Sequence, residues 1–476
     1  MNKSSLLFKA SLVALIFGIV QPGTGLADEP KPEANVDDPY VNRPSVDGPY
    51  DDEAEALPSK KVIKKPKKKP KSAKENSAFK IDSLRAELGG FNDKSAPDGD
   101  LNLNLGASTN GRVNDDWEFA LGMRLDAQAQ TGSPDFSRVK LDYAENFLRW
   151  RSPEMRITLG TQNLLWGRVD EISPIDRLSR TDLSHFILDR LPDRRRAVPA
   201  LRLESFQGDF KIDAAWLPFF DPAVLPDDES VWHPVDTANG RILGLGPIPF
   251  PFPGMSAKLG GEEDGGSGGA GVRVTHTGGS FDYGFSLQRA RQSMPYYKIS
   301  ATPSFPAILT LTAVHPYSWI VGGELETQVA GATWRLEAAW SSDLPVTDAN
   351  TFSFRTEPAS DLVVGVEFFP GDGETRITLQ VAGHKTHTSK VIDRTEFYMV
   401  NGEVERSFAQ GRWRGNLRFF SGLNDQDVYL NPKLTYLGID KHELFIAAHF
   451  FDGSEQTPGG FHKGHDMISV GWQAKF

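Results

Sequence analysis

The stretch Ile468-Ser469-Val470-Gly471-Trp472-Gln473-Ala474-Lys475-Phe476 alternates apolar and polar residues at every step and ends on an aromatic carboxy terminus. In an extended strand successive side chains point to opposite faces, so Ile468, Val470, Trp472, Ala474 and Phe476 share one face and Ser469, Gly471, Gln473 and Lys475 the other. One face suits lipid and the other water. The pattern predicts the closing strand of a bacterial outer-membrane β-barrel, with Trp472 and Phe476 as the signal that barrel-assembly machinery reads.

Residues Met1–Ala27 read as a cleaved secretory signal: Lys3 and Lys9, an apolar run from Ala10 to Val20, then Pro22 and the small-residue site Gly25-Leu26-Ala27. That run is far short of the roughly 20 residues a membrane-spanning helix needs. The chain has no cysteine, which excludes disulfides, thiolate metal sites and a lipoprotein anchor. Residues 28–77 are rich in proline and segregated charge, acidic up to Glu55 and then carrying nine lysines between Lys60 and Lys74. Such a segment cannot bury enough apolar surface to offset its chain entropy, and it is expected to be a disordered periplasmic arm. Its lysine block suits an anionic periplasmic partner such as peptidoglycan, lipid headgroups or an acidic protein. The secretion signal and the lack of interleaved aromatics argue against nucleic acid.

From residue 78 to 476 the period is two. Trp117, Phe119, Leu121, Met123 and Leu125 alternate with Glu118, Ala120, Gly122, Arg124 and Asp126, and the segments around Phe285, Leu336 and Val364 behave alike. A composition of 39% hydrophobic residues, with 45 glycines and 30 phenylalanines, suits a barrel whose lipid-facing and lumen-facing residues alternate. Eight short links (114–116, 151–154, 207–209, 279–280, 330–332, 370–373, 409–411 and 438–441) alternate with nine longer ones (92–100, 131–137, 166–196, 219–267, 293–316, 342–358, 386–393, 424–426 and 452–465). Tight turns on one side and variable loops on the other are the asymmetry of transmembrane barrels. The prediction is an all-β fold, a single antiparallel barrel of 18 strands, with 16 as the alternative because 397–408 and 428–437 are poorly patterned. Eighteen strands enclose a lumen wide enough for water. Glu324, Glu326, Arg335 and Glu337 should line its wall, with Glu367 and Arg376 facing each other across the 370–373 turn. A soluble secreted β-sandwich is the rival architecture.

The third long loop, 166–196, is dense in charge: Arg168, Asp170, Glu171, Asp176, Arg177, Arg180, Asp182, Arg190, Arg194, Arg195 and Arg196, interspersed with Ile172, Ile175, Leu178 and Phe186. This composition predicts an ordered, salt-bridged excursion, with a short helix over 183–191 capped by Thr181 or Asp182. Folded inward, its mixed charges would set a field across a pore constriction; folded outward, they would only pair with one another. The fourth loop, 219–267, carries alternating prolines from Pro247 to Pro253, a stripe suited to packing across the barrel mouth or docking an apolar ligand.

Gly160-Thr161-Gln162-Asn163, Trp166-Gly167-Arg168, Ile172-Ser173-Pro174-Ile175-Asp176, Leu183, Phe186, Trp216-Leu217-Pro218-Phe219-Phe220-Asp221-Pro222 and Leu225-Pro226 resemble the block shared by a family of proteobacterial outer-membrane barrels of unknown function. More loosely the chain is similar to alginate-export and specific-porin barrels. The resemblance, strongest over 142–226, implies an outer-membrane pore and a link to export or uptake of hydrophobic compounds. It brings no catalytic residues, and family members have longer external loops. In position the third loop resembles the inward-folded third loop of general porins.

No Gly-x-Ser-x-Gly, phosphate loop or dinucleotide fingerprint is present, so neither an enzyme nor a cofactor is expected. His384 with His387 and His462 with His465 have metal-like spacings but no companion ligands, and they read as surface histidines. Over residues 78–476 there are 39 basic and 52 acidic residues, and this net charge of -13 favours cations in the lumen while the third-loop arginines oppose it, leaving ion preference open. The reading is a passive channel for small to medium solutes. The alternative is an envelope export or uptake duct for a hydrophobic compound or polysaccharide, docking a periplasmic partner through the lysine arm.

Overall fold

The computed structural model describes residues 79–93, 96–237, 241–245, 256–262, 265–302 and 308–476. The secretory signal, the lysine-rich arm and the Pro247–Pro253 stripe lie outside these residues.

The chain forms a closed antiparallel barrel. Its strands are β1 (Lys80–Phe91), β2 (Gly99–Arg112), β3 (Trp117–Thr131), β4 (Phe136–Tyr143 continued by Asn146–Arg151), β5 (Met155–Gln162), β6 (Val198–Gln207), β7 (Phe210–Leu217), β8 (Gly269–His276) and β9 (Asp282–Arg291). The second half comprises β10 (Tyr317–Val329), β11 (Ala332–Thr347), β12 (Phe354–Phe368), β13 (Thr375–Thr386), β14 (Glu396–Phe408), β15 (Trp413–Gly422), β16 (Asp427–Ile439), β17 (His442–Gly453) and β18 (Met467–Lys475). The sheet has 19 strand segments, but the two pieces of β4 both pair with β3, so the wall has 18 strands. The break falls at Ala144–Glu145, where the Asn146 amide donates to the carbonyls of Gly122 and Ala144 and replaces the interrupted ladder.

The carboxy-terminal strand closes the ring, with β18 paired to β1 in the register Ala86↔Trp472 and to β17 in the register Leu444↔Trp472. An open edge in hydrocarbon would leave backbone groups unpaired at several kcal/mol each, which is why only a closed sheet is viable there. The Trp472 indole also donates to His442 Nδ1 at 3.2 Å, and Phe476 ends the chain with its ring exposed.

Alternation is inverted relative to a soluble protein. Leu121, Leu141, Leu159, Phe285, Val321 and Val470 are exposed on the outer face, whereas Glu87, Asp126, Gln288, Glu324, Glu337 and Arg418 are buried on the inner one. Exposed Trp117, Phe210, Trp334 and Phe408 sit at the short-turn end, and Trp216, Trp319 and Trp340 at the long-loop end, forming the two aromatic girdles of a membrane barrel. The eight short turns and nine longer loops fall where the sequence places them, with one adjustment. Between β11 and β12 the predicted loop 342–358 is mostly strand, because the ladder resumes after a register shift between Ser341 and Leu344 and leaves only 348–353 as loop. The poorly patterned segments form β14 and β16; their inward positions carry Asn401, Glu403, Asn431 and Lys433, which the loops and neighbouring strands cover.

Outside the wall, Ser256–Glu262, Tyr296–Thr302 and Ile308–Val314 make a three-stranded sheet from the fourth and fifth loops. Val235, Ile242, Leu245, Tyr297 and Leu311 form its own apolar core.

Candidate functional site: the loop that crosses the lumen

The third loop, running from 163 to 197 between β5 and β6, folds into the barrel. On one side, Glu337 of β11 accepts the N–H of Val169 at 2.9 Å and the N–H of Arg168, and its other oxygen accepts the Ser173 hydroxyl at 2.6 Å. On the other, His185 lies 3.3 Å from Asp100 of β2, and Asp189 accepts from Arg85 of β1 at 2.7 Å. In a ring of 18 strands β2 and β11 are diametrically opposed. A loop bonded to both crosses the lumen.

Two apolar clusters seat it. Leu164, Trp166, Ile175 and Leu178 pack on Val198, Ala200, Ala215, Leu217, Ala290, Ile320 and Ala339 of the wall from β6 to β11. Ile175 approaches β10 at Gly322, where a Cβ would stand 2.4 Å from the Ile175 methyl. Phe186 and Leu188 pack with Trp232 of the fourth loop and with Tyr429, Phe451 and Met467 of β16 to β18. Trp232 donates to Asp100 at 3.2 Å, so one wall carboxylate holds two loops.

The charged residues singled out in the sequence divide into wall contacts and internal pairs. Arg168 donates to Glu324 at 2.9 Å, and Glu324 also binds Arg273 at 2.5 Å. Asp170 lies 3.3 Å from Arg335, which bridges to Glu326 at 3.0 Å and to Glu367 at 3.6 Å. Arg177 reaches Asp361 at 3.1 Å, Arg180 reaches Asp142 at 3.3 Å, Arg190 pairs with Glu403, and Arg196 binds Asp126 at 2.8 Å. Within the loop, Arg196 also pairs with Asp182, and Glu171 takes Arg194 at 3.1 Å while accepting Arg418 of β15 at 3.0 Å. Asp176 is half-buried, and desolvation raises its carboxyl to about 6 against the pull of Arg195.

Three expectations are corrected. Arg376 does not face Glu367: the register puts Thr378 opposite Glu367, and Arg376 lies 3.8 Å from Glu403. The helix over 183–191 is absent, and only Leu191–Arg194 is helical. Phe186 adopts a φ of 48°, the Asp182 carboxylate accepts from Ser184 N–H in a local turn, and Arg418 takes the Ile187 and Asp189 carbonyls. His462 is not a surface residue: it is fully buried against Phe186 and Trp232, and its Nδ1 lies 3.3 Å from that of the half-buried His465. Burial and the neighbouring His465 hold His462 well below the usual imidazole range. Among the described residues no group of three acidic, histidine or cysteine side chains is arranged to hold a metal.

Sequence reasoning missed Asp100, His185 and Arg418. His185 was visible as a titratable group in an apolar run, but its two carboxylate partners lie on the opposite wall and in the next loop turn.

No family profile and no curated protein matches the sequence. Solved structures do. Acinetobacter baumannii OccAB1 aligns over 84% of this chain and 97% of its own, at 8% identity and a TM-score of 0.51. Pseudomonas aeruginosa OccK8 (OprE) aligns over 84% and 98%, at 8% identity and a TM-score of 0.47. Salmonella typhi OmpF, in a complex with daunomycin, aligns over 84% and 98%, at 9% identity and a TM-score of 0.41. At this identity the likeness to OccAB1 is one of fold, a closed antiparallel barrel.

Proposed function

We propose that the protein is an outer-membrane channel for the passage of small polar solutes, with the third loop as its constriction. The observation that carries this reading is the loop's course from Glu337 across the lumen to Asp100 and Arg85 within a polar-lined barrel. On this reading the loop narrows the passage, and its charged residues Arg168, Asp170, Glu171, Asp176, Arg177, Arg180, Asp182, Arg190, Arg194, Arg195 and Arg196 set the field that selects by charge and size. The porin fold supports the same reading. Single-channel recording in planar bilayers tests it: stable conductance steps with a defined reversal potential are expected, and a folded, silent barrel overturns it.

The apolar seating of the loop on both flanks favours a second reading, a duct that opens when a periplasmic partner engages the Lys60–Lys74 arm. Deleting residues 28–77 separates the two. An open channel keeps its conductance without the arm, whereas a partner-operated duct loses its cellular role.

A further inference from the structure

Between the third loop and the inner face of β13 to β15 lies a cavity of about 30 Å³. Gln380 of β13 and Asn401 of β14 face each other in the ladder, and each is 1% exposed. Side by side, two amides ordinarily bond to one another. Here neither does: the oxygen and the nitrogen of both lack a hydrogen-bond partner, as do the Thr378 hydroxyl and Arg418 Nε beside them. All four residues line the cavity, and its remaining lining includes the Phe420 ring. Buried polar groups without partners are costly, and one wall patch concentrating them calls for a partner that is not part of the chain.

We infer that this cavity is a recognition subsite for a neutral, hydroxyl-rich solute of the polyol or sugar class, an inference that rests on the channel reading above. The donor and acceptor inventory decides the class. Each amide offers one acceptor and one donor group, and a hydroxyl is the small group that both donates and accepts. The cavity has room for about one water or one hydroxyl group, so it takes one end of a solute whose body lies in the vestibule. Charged solutes are disfavoured from both sides. An anion meets Asp170, Glu171 and Glu403; a cation meets Arg376 and Arg418. The Arg418 guanidinium already lies 5.0 Å over the Phe420 ring, so recognition falls to the polar groups.

One step toward the long loops, Val169 packs on Val363, Ala382 and Met399, so on this reading a solute approaches from the short-turn side. One step the other way stands Arg376, whose side chain is 39% exposed.

Calorimetric titration of the purified, detergent-folded full-length protein with D-glucose and glycerol tests the inference, with sodium acetate and tetramethylammonium chloride as charged comparators. A saturable heat is expected for the hydroxylated probes alone, weakened at least about tenfold in the Gln380→Leu/Asn401→Leu double variant, because a site built to bond a hydroxyl loses that discrimination when its polar groups go. Heat-modifiable gel mobility verifies that the variant is folded. Absence of saturable heat with either polyol shows a site for ordered water only and overturns the inference, as does equal binding of acetate. Because the titration needs no current, a silent barrel that binds glucose overturns the channel reading and keeps the subsite, while a conducting barrel that binds neither polyol does the reverse.

Discussion

Glu337 on β11 holds Val169 in the third loop by a hydrogen bond of 2.9 Å between its carboxylate and the Val169 N–H. The same carboxylate takes the Arg168 N–H and the Ser173 hydroxyl, and it is fully buried. A buried anion is tolerated where fixed donors surround it, and here three donors from one loop do so. The bond thus joins loop position to wall charge: the loop cannot leave the lumen without exposing Glu337.

Replacing Glu337 by alanine is expected to free the first limb of the loop. Each hydrogen bond to a charged group contributes roughly 1.5–3 kcal/mol, and the Val169 and Arg168 N–H groups are left without an acceptor. Larger and noisier unit currents are expected, with faster trypsin cleavage after Arg168 and Arg177. Currents identical to the parent's would show that this limb does not bound the passage.

Gly167 stands next to that clamp with a φ of +123°, and a Cβ there would lie 2.2 Å from Ser173 Oγ and 2.9 Å from Glu337 Oε1. Gly167→Ala combines backbone strain of about 1–3 kcal/mol with a clash against both partners. A conductance change in the same direction as for Glu337→Ala is expected. Crossing the two variants should give less than the sum of their effects, since they disrupt one contact.

His185 gives the opposite anchor a pH dependence. Burial alone would lower its pKa, but Asp189 and Asp100 outweigh it and raise the imidazole to about 10. Asp189 in turn is held well below the usual carboxylate range: burial pushes it up, and Arg85 and His185 overcome that. A histidine whose folded pKa exceeds its unfolded value stabilises fully below the latter and loses that contribution as pH rises to the former. The anchor is therefore at full strength below about pH 6.5 and fades toward about pH 10. Current noise should grow across that window, and His185→Asn should flatten the dependence; a parent channel equally quiet from pH 6 to pH 10 contradicts it.

The wall was largely legible in the sequence because each strand has to satisfy two solvents at once. Period two at Trp117–Leu125 and at Ile468–Phe476 follows from lipid on one face and the polar lumen on the other, and both segments form strands where the pattern puts them. At β14 and β16 the pattern fades because the lumen there is filled, and Tyr429 meets Phe186 and Trp232 where a wet wall would have a polar side chain. The charge density of the third loop marked it as ordered. Its partners were not legible, since Arg418 and Glu171 are 247 positions apart and only closure of the ring brings them together. The helix over 183–191 failed for the same reason: tertiary acceptors and donors on Arg418 and Asp182 outcompeted a local helical pattern.

Arg190 is the third-loop cation best placed to act on passing ions, being 36% exposed and paired with Glu403, with Glu405 3.8 Å away. Removing it by Arg190→Ala uncovers two wall carboxylates without adding a group. Water screens charges this exposed, so the expected gain is no more than about 1 kcal/mol, roughly a two- to fivefold rise in the cation-to-anion permeability ratio. Reversal potentials in a potassium chloride gradient measure it. The shift should shrink as the bath approaches 1 M salt, where the Debye length falls from about 10 Å to about 3 Å. A salt-independent shift of the same size would instead mean that the substitution moved the loop.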